Sequence, residues 1–182
     1  TGRAVLPMKV EVRDENLQPV PTGQSGEIWF FGPMLIRGYW NRPEATAETI
    51  VDGWLRSGDL GRLDADGFVY VEDRVKDMIL RGGENIFCAE VEGAIYEHSK
   101  VHEVAVFGVP HERLGEEVAV AILPNDGVVL TPEEIWTFLD GKIANYKIPT
   151  HVIVMKEVLP RNAAGKFLKR EMQELFVQGK LV

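Results

Sequence analysis

Apolar and polar residues alternate along the first part of the chain, and helical spacing takes over later. Met8 to Arg13 alternates, and Asp14 to Pro21 reads as a turn region. Gly26 to Phe31 is a second predicted strand. Asn41, Pro43 and Glu44 open a short helix, with Asn41 as the expected cap and Pro43 in the first turn. Trp54 to Leu63 and Phe68 to Val71 flank Asp66-Gly67, a hairpin signal. From Lys76 onward the grammar changes. Met78 to Leu80 and Ile86 to Phe87 are short strands around Gly82-Gly83. Ala89 to Glu97 places Val91, Ala94 and Ile95 on one helical face, and Val101 to Val109 and Glu117 to Leu123 read as strands. Thr131, Pro132 and Glu134 form a capping box with proline at the first helical position; Ile135, Phe138, Leu139 and Ile143 follow as one stripe. His151 to Met155 is a strand, and Leu168, Met172, Leu175 and Phe176 line a last helix.

This pattern predicts an α+β chain: a small β-barrel-like subdomain over residues 1–75, then a compact α+β domain over 76–182, with two to three helices on a small sheet. There is no internal repeat and no low-complexity linker.

Composition narrows the setting. Of 182 residues, 45% are hydrophobic and 26% charged, a balance that fills a globular core. A net charge of -8 argues against a nucleic-acid footprint. The single cysteine, Cys88, leaves no internal disulfide and fits a reducing, cytoplasmic compartment. No apolar run approaches membrane-span length and no basic-then-apolar leader opens the chain. The chain starts at Thr1 and enters strand-like sequence at once, so a start in mid-protein is expected.

Chemistry concentrates where the two grammars meet. In Asp73-Arg74-Val75-Lys76-Asp77-Met78-Ile79-Leu80-Arg81-Gly82-Gly83-Glu84-Asn85-Ile86, charges precede a hydrophobic triplet and a glycine pair. Glycine permits positive φ and close approach of backbone to a ligand; a hairpin with a solvated base is the plain alternative. Two further blocks stand in register with it: Gly53-Trp54-Leu55-Arg56-Ser57-Gly58-Asp59-Leu60-Gly61 and Asn162-Ala163-Ala164-Gly165-Lys166-Phe167. Together with Gly26-Glu27-Ile28, Gly38-Tyr39-Trp40-Asn41 and Thr46-Ala47-Glu48, they make the chain resemble the C-terminal portion of the adenylate-forming superfamily: acyl-CoA synthetases, luciferase and peptide-synthetase adenylation domains. The Arg81 to Ile86 run, and Val104 to Val120 with Gly108-Val109-Pro110 and Gly115-Glu116-Glu117, are similar to the CoA ligases of fatty or aromatic acids.

That resemblance implies an ATP-dependent acid–CoA ligase, of fatty-acid type, which turns a carboxylic acid and ATP into acyl-AMP and pyrophosphate and then passes the acyl group to CoA. It implies ATP, Mg2+ and coenzyme A, at sites completed mostly by an N-terminal portion of the same protein, and no metal site in this chain. It also implies roles. Lys166 matches the lysine that bridges acyl carboxylate and α-phosphate, a job that suits a point charge on a flexible stem. Asp59 matches the acid that accepts from the ribose hydroxyls, and Arg74 the second nucleotide contact. Lys76 falls at the hinge, and Gly82 and Gly83 border the pantetheine path. Arg81 is a candidate phosphate contact, and Glu84 and Asn85 are expected to hold their loop. Arg161, Lys166, Lys169 and Arg170 form a basic cluster suited to an anion.

Each residue also has a plain reading: Lys166 as a solvated lysine, Asp59 as a turn residue, Arg74 as a surface partner of Asp73 or Asp77. No Tyr-Gly-x-Thr-Glu block, phosphate-binding loop or acyl pocket is recognisable, so the chain alone is expected to be inactive. Two other functions stay open: loading a carrier protein, and a stand-alone binding module. Gly165-Lys166 lacks the surroundings of a Walker loop. His98, His102, His111 and His151 show no zinc spacing. Cys88 reads as an apolar filler, and the tryptophans as packing residues.

Overall fold

The computed structural model describes residues 2–181. The chain divides into two compact units between Lys76 and Asp77.

The first unit is a curled antiparallel sheet of six strands. The strands are β1 (Gly2–Arg3), β2 (Lys9–Arg13), β3 (Gly26–Phe31), β4 (Ile50–Val51), β5 (Trp54–Leu63) and β6 (Phe68–Arg74). They run in the order β1-β6-β5-β3-β2, with β4 on β5. Val12, Ile28 and Trp29 are buried by this sheet, all at most 4% exposed. One helix, α1 (Pro43–Thr49), precedes β4. The hairpin between β5 and β6 is organised by Asp64, whose Oδ1 accepts from the backbone of Asp66 and Phe68, while Gly67 closes it with φ +79°. The expected helix cap is not the one found. Arg42 occupies the cap position, and Asn41 adopts φ +52°. Thr46 ties this entry down, donating from Oγ1 to the Arg42 carbonyl and accepting from Tyr39 N.

The second unit has β7 (Ile79–Arg81), β8 (Glu84–Ile86), β9 (Val101–His111), β10 (Gly115–Pro124) and β11 (His151–Val154). Its helices are α2 (Cys88–Tyr96), α3 (Pro132–Leu139) and α4 (Lys169–Val177). β10 pairs antiparallel with β9 along its length and parallel with β11. Alternation on this long hairpin feeds two cores. Val104, Val106, Val118, Val120 and Ile122 join Val91, Ile95, Ile135 and Leu139 from α2 and α3. Ala105, Phe107, Val109, Ala119 and Ala121 join Met172 from α4, with Leu175 and Phe176 against them. A sheet covered on both faces needs near-continuous apolar strands, which the runs 104–109 and 118–123 supply. The capping box forms as expected: Thr131 Oγ1 accepts from Glu134 N, and Glu134 Oε2 from Thr131 N. The stripe that was to continue through Ile143 breaks at Leu139; Ile143 follows in a turn and still packs on the core.

Candidate functional site

In the first unit, Asp59 and Arg74 are cross-strand partners of β5 and β6. Residues directly opposite in an antiparallel pair share a face, and the Arg74 guanidinium Nε lies 3.1 Å from Asp59 Oδ1. Both side chains stay open, at 57% and 31% exposure. Immediately beyond them the register shifts between Leu60 and Gly61. Gly61 is required there: a Cβ would lie 2.1 Å from the Tyr70 carbonyl oxygen and 2.8 Å from Ile28 Cδ1. Bulges of this kind re-aim side chains at the end of a ladder. Upstream, Glu27 is nearly buried, pairs with Arg56 at 2.9 Å and accepts from Gly58 N. Ser57 Oγ accepts from Asp59 N, and Asp73 Oδ1 accepts from Arg74 N. The backbone around both site residues is thus pinned by short polar side chains. The Arg74 guanidinium pairs with Asp59, where a surface reading has Asp73 or Asp77 as its partner.

Lys76 ends this unit in an exposed turn, and its ammonium makes no ion pair among the described residues. In the second unit, Gly82 and Gly83 are the two central residues of the β7–β8 hairpin, with φ +61° and +89°. Two consecutive positive φ values are the signature of a tight type I′ turn. A Cβ at Gly82 would touch Leu114 Cδ2 at 3.3 Å, whereas one at Gly83 would meet open space. The hairpin is held from β10 and the turn before it: Gly82 N donates to the Leu114 carbonyl, and Leu80 N to Glu116 Oε2. Arg81 pairs with Glu117 at 3.6 Å, so the candidate phosphate contact already has a carboxylate beside it. Glu84 and Asn85 contribute backbone pairing in β8.

Lys166 lies on a tight hairpin closed by the bridge between Arg161 and Phe167. Asn162 organises it. Its Oδ1 accepts from Ala164 N and Lys166 N, and its own N–H donates to the Lys166 carbonyl. Gly165 supplies φ +80°. Both backbone polar groups of Lys166 are therefore fixed by one side chain and its amide, an Asx arrangement. The side chain is exposed and makes no ion pair among the described residues.

The basic cluster expected around Lys166 resolves into pairs. Arg161 binds Glu103 at 2.5 Å, Lys169 binds Glu92 at 2.7 Å, and Arg170 binds Glu174 at 3.2 Å. Only Lys166 of the four is left unpaired among the described residues. Lys169 is largely buried. Burial works against its charge, but Cys88, Glu92 and Asp77 outweigh that and hold its pKa above the ordinary lysine value. Cys88 is fully buried at the start of α2 and donates from Sγ to the Asp77 carbonyl at 2.7 Å. Sequence reasoning did not single out Asn162, Glu103 or Glu92. Asn162 was findable, because Asn three residues before Gly is a turn signal; the two glutamates carry no local mark.

Residues 90–166 match the family described as the AMP-binding enzyme C-terminal domain. Over 159 residues the chain is 45% identical to a feruloyl-CoA synthase from Amycolatopsis sp, covering 87% of this chain and 32% of that protein. It is 42% identical over 173 residues to a long-chain-fatty-acid–CoA ligase from Yersinia pestis, covering 95% and 30%. The crystal structure of ATP-bound MatB from Rhodopseudomonas palustris superposes with a TM-score of 0.89 at 34% identity, covering 98% of this chain and 36% of that one. The chain thus spans about a third of the length of the relatives it matches. Sequence and fold together make it a member of the adenylate-forming superfamily, corresponding to the C-terminal portion of its CoA-ligase relatives.

Proposed function

We propose that the chain is the C-terminal part of an AMP-forming acid–CoA ligase, in which Lys166 is the cation of the adenylation step. The observation that carries this reading is the isolation of Lys166: its loop is fixed at the backbone, its neighbouring cations are paired, and its own ammonium has no ion-pair partner among the described residues. Joining a carboxylate to the α-phosphate of ATP develops negative charge, and a preplaced cation stabilises it. Asp59 offers two acceptor oxygens to a vicinal diol, with Arg74 beside it as the second ribose contact. Lys76 is the pivot, and the Gly82–Gly83 turn, without a Cβ, leaves room for a pantetheine arm. Residues 1–76 would be the end of the large N-terminal domain and 77–182 the mobile C-terminal one.

ATP, CoA and the acid are substrates, and Mg2+ would arrive on the ATP phosphates. The acyl pocket and phosphate loop belong to the rest of the protein, so residues 1–182 alone should not adenylate an acid. CoA is favoured over a carrier protein as acceptor because the relatives above are CoA ligases. The acid is read as a fatty acid, supported by the Yersinia pestis ligase; the feruloyl-CoA synthase supports an aromatic acid by the same kind of argument. A cytoplasmic setting accords with the single buried cysteine, and no helix among the described residues is long and apolar enough to cross a membrane. The test is acid-dependent ATP–pyrophosphate exchange by the full-length protein with a panel of fatty and aromatic acids. Exchange followed by CoA-thioester formation supports the reading; no exchange with any acid overturns it.

A further inference from the structure

The adenylation reading gives work to Lys166 and none to the two carboxylates that hold its loop. Glu103, on β9, is 8% exposed, and the Glu92 side chain, on α2, is 19% exposed. Each binds one cation that flanks Lys166 in sequence. Arg161, at the entry of the hairpin, reaches Glu103 Oε1; Lys169, just past its exit, reaches Glu92 Oε1. The carboxylates are themselves anchored. Glu103 Oε2 accepts from Leu159 N, and Glu92 Oε1 accepts from Val106 N on β9. Arg161 further stacks on the Phe167 ring at 4.4 Å and donates to the Gly165 carbonyl at 3.3 Å.

Both feet of the hairpin are thus fastened to the β9–α2 layer by ion pairs of 2.5 and 2.7 Å. A partly buried ion pair is weak evidence for stability, because desolvation offsets much of its attraction. It does fix position. Here it does a second thing: it neutralises Arg161 and Lys169, so an incoming anion meets Lys166 as the free cation of the loop. We infer that Lys169–Glu92 and Arg161–Glu103 form a two-point clamp that positions the Lys166 ammonium for adenylation. This rests on the adenylation reading of Lys166. Lys169 and Arg161 are positioning residues and touch no reacting atom.

The experiment uses the full-length protein and three readouts: acid-dependent pyrophosphate exchange, thioester formation from supplied acyl-AMP, and thermal unfolding. Lys166→Ala is the reference. A misplaced catalytic group costs up to about 10²-fold, so Lys169→Met should lower the exchange kcat about 10- to 100-fold. It should leave the KM for ATP and the thioester step within about twofold. Lys169→Arg, and the exchange of charges in Lys169→Glu with Glu92→Lys, should restore most of the loss. Arg161→Lys keeps the charge but loses the fork and the stacking, and should give an intermediate loss should Lys169→Met fold poorly. Full exchange activity in Lys169→Met and Arg161→Lys, with Lys166→Ala inactive, overturns the clamp alone. Equal loss of both half-reactions without rescue by arginine also overturns it. Exchange that survives Lys166→Ala overturns the adenylation reading itself.

Discussion

Asp59 and Arg74 face each other across the last paired rung of β5 and β6, with 3.1 Å between carboxylate and guanidinium. An ion pair this open contributes little to folding, typically about 0–1 kcal/mol. Its geometry is better suited to presenting an acceptor and a donor side by side. In the full-length protein, Asp59→Asn and Arg74→Ala should each raise the KM for ATP about 10- to 100-fold, as expected for loss of a charged hydrogen bond of ~1.5–3 kcal/mol. Thermal unfolding should barely move. Steady-state kinetics with calorimetry checks this; a large fall in Tm with an unchanged KM would make the pair structural.

Lys76 is exposed and unpaired among the described residues, at the residue where the first unit ends. A hinge needs backbone freedom and no fixed side-chain packing. Lys76→Pro locks φ. It should spare pyrophosphate exchange and impair thioester formation. Unchanged thioester formation would remove the hinge role.

Gly82 and Gly83 separate backbone strain from steric crowding. Both have positive φ, so alanine at either costs about 1–2 kcal/mol of local strain. A Cβ at Gly83 points into open space, and one at Gly82 against Leu114. Gly83→Ala should therefore slow thioester formation more than exchange, while Gly82→Ala should mainly lower Tm. Comparing half-reactions and melting curves of the two variants decides it; identical behaviour would mean strain alone acts.

The cap of α3 gives a pH prediction. Lys100, hydrogen-bonded to Glu134, and then Thr131 N hold the Glu134 carboxyl below its ordinary range. A depressed folded-state pKa adds stability that is present above the unfolded value and lost as pH falls through the folded one. Stability should thus decline more steeply on acidification in the parent than in Glu134→Gln, and the two curves should converge at the acid end. Thr131→Ala should cost about 1 kcal/mol at neutral pH. Denaturant titrations between neutral and acid pH test both.

Much of this was legible in the sequence because local chemistry and fold agreed. The Thr131–Glu134 box, the Val91–Ile95 face and the apolar runs of β9 and β10 all followed from spacing and caps that need no tertiary information. What failed was decided at a distance. Asn41 lost the cap because Tyr39, Arg42 and Thr46 bond to one another and place Asn41 at positive φ. The cluster of Arg161, Lys166, Lys169 and Arg170 looked like one positive patch because Glu103 and Glu92, the partners of Arg161 and Lys169, lie over 50 residues away and leave no mark near it; only the Arg170 partner, Glu174, stands within helical reach. The same reason made the Asp59–Arg74 pairing unreadable: neighbours of Arg74 in sequence, Asp73 and Asp77, were the obvious partners, and strand register chose Asp59.

Whether Lys166 is the adenylation cation is decided by comparing the two half-reactions in Lys166→Ala of the full-length protein. Acyl-AMP formation from acid and ATP should fall by orders of magnitude, while thioester formation from supplied acyl-AMP stays near the parent rate. Equal loss in both steps, or undiminished acyl-AMP formation, would contradict that role.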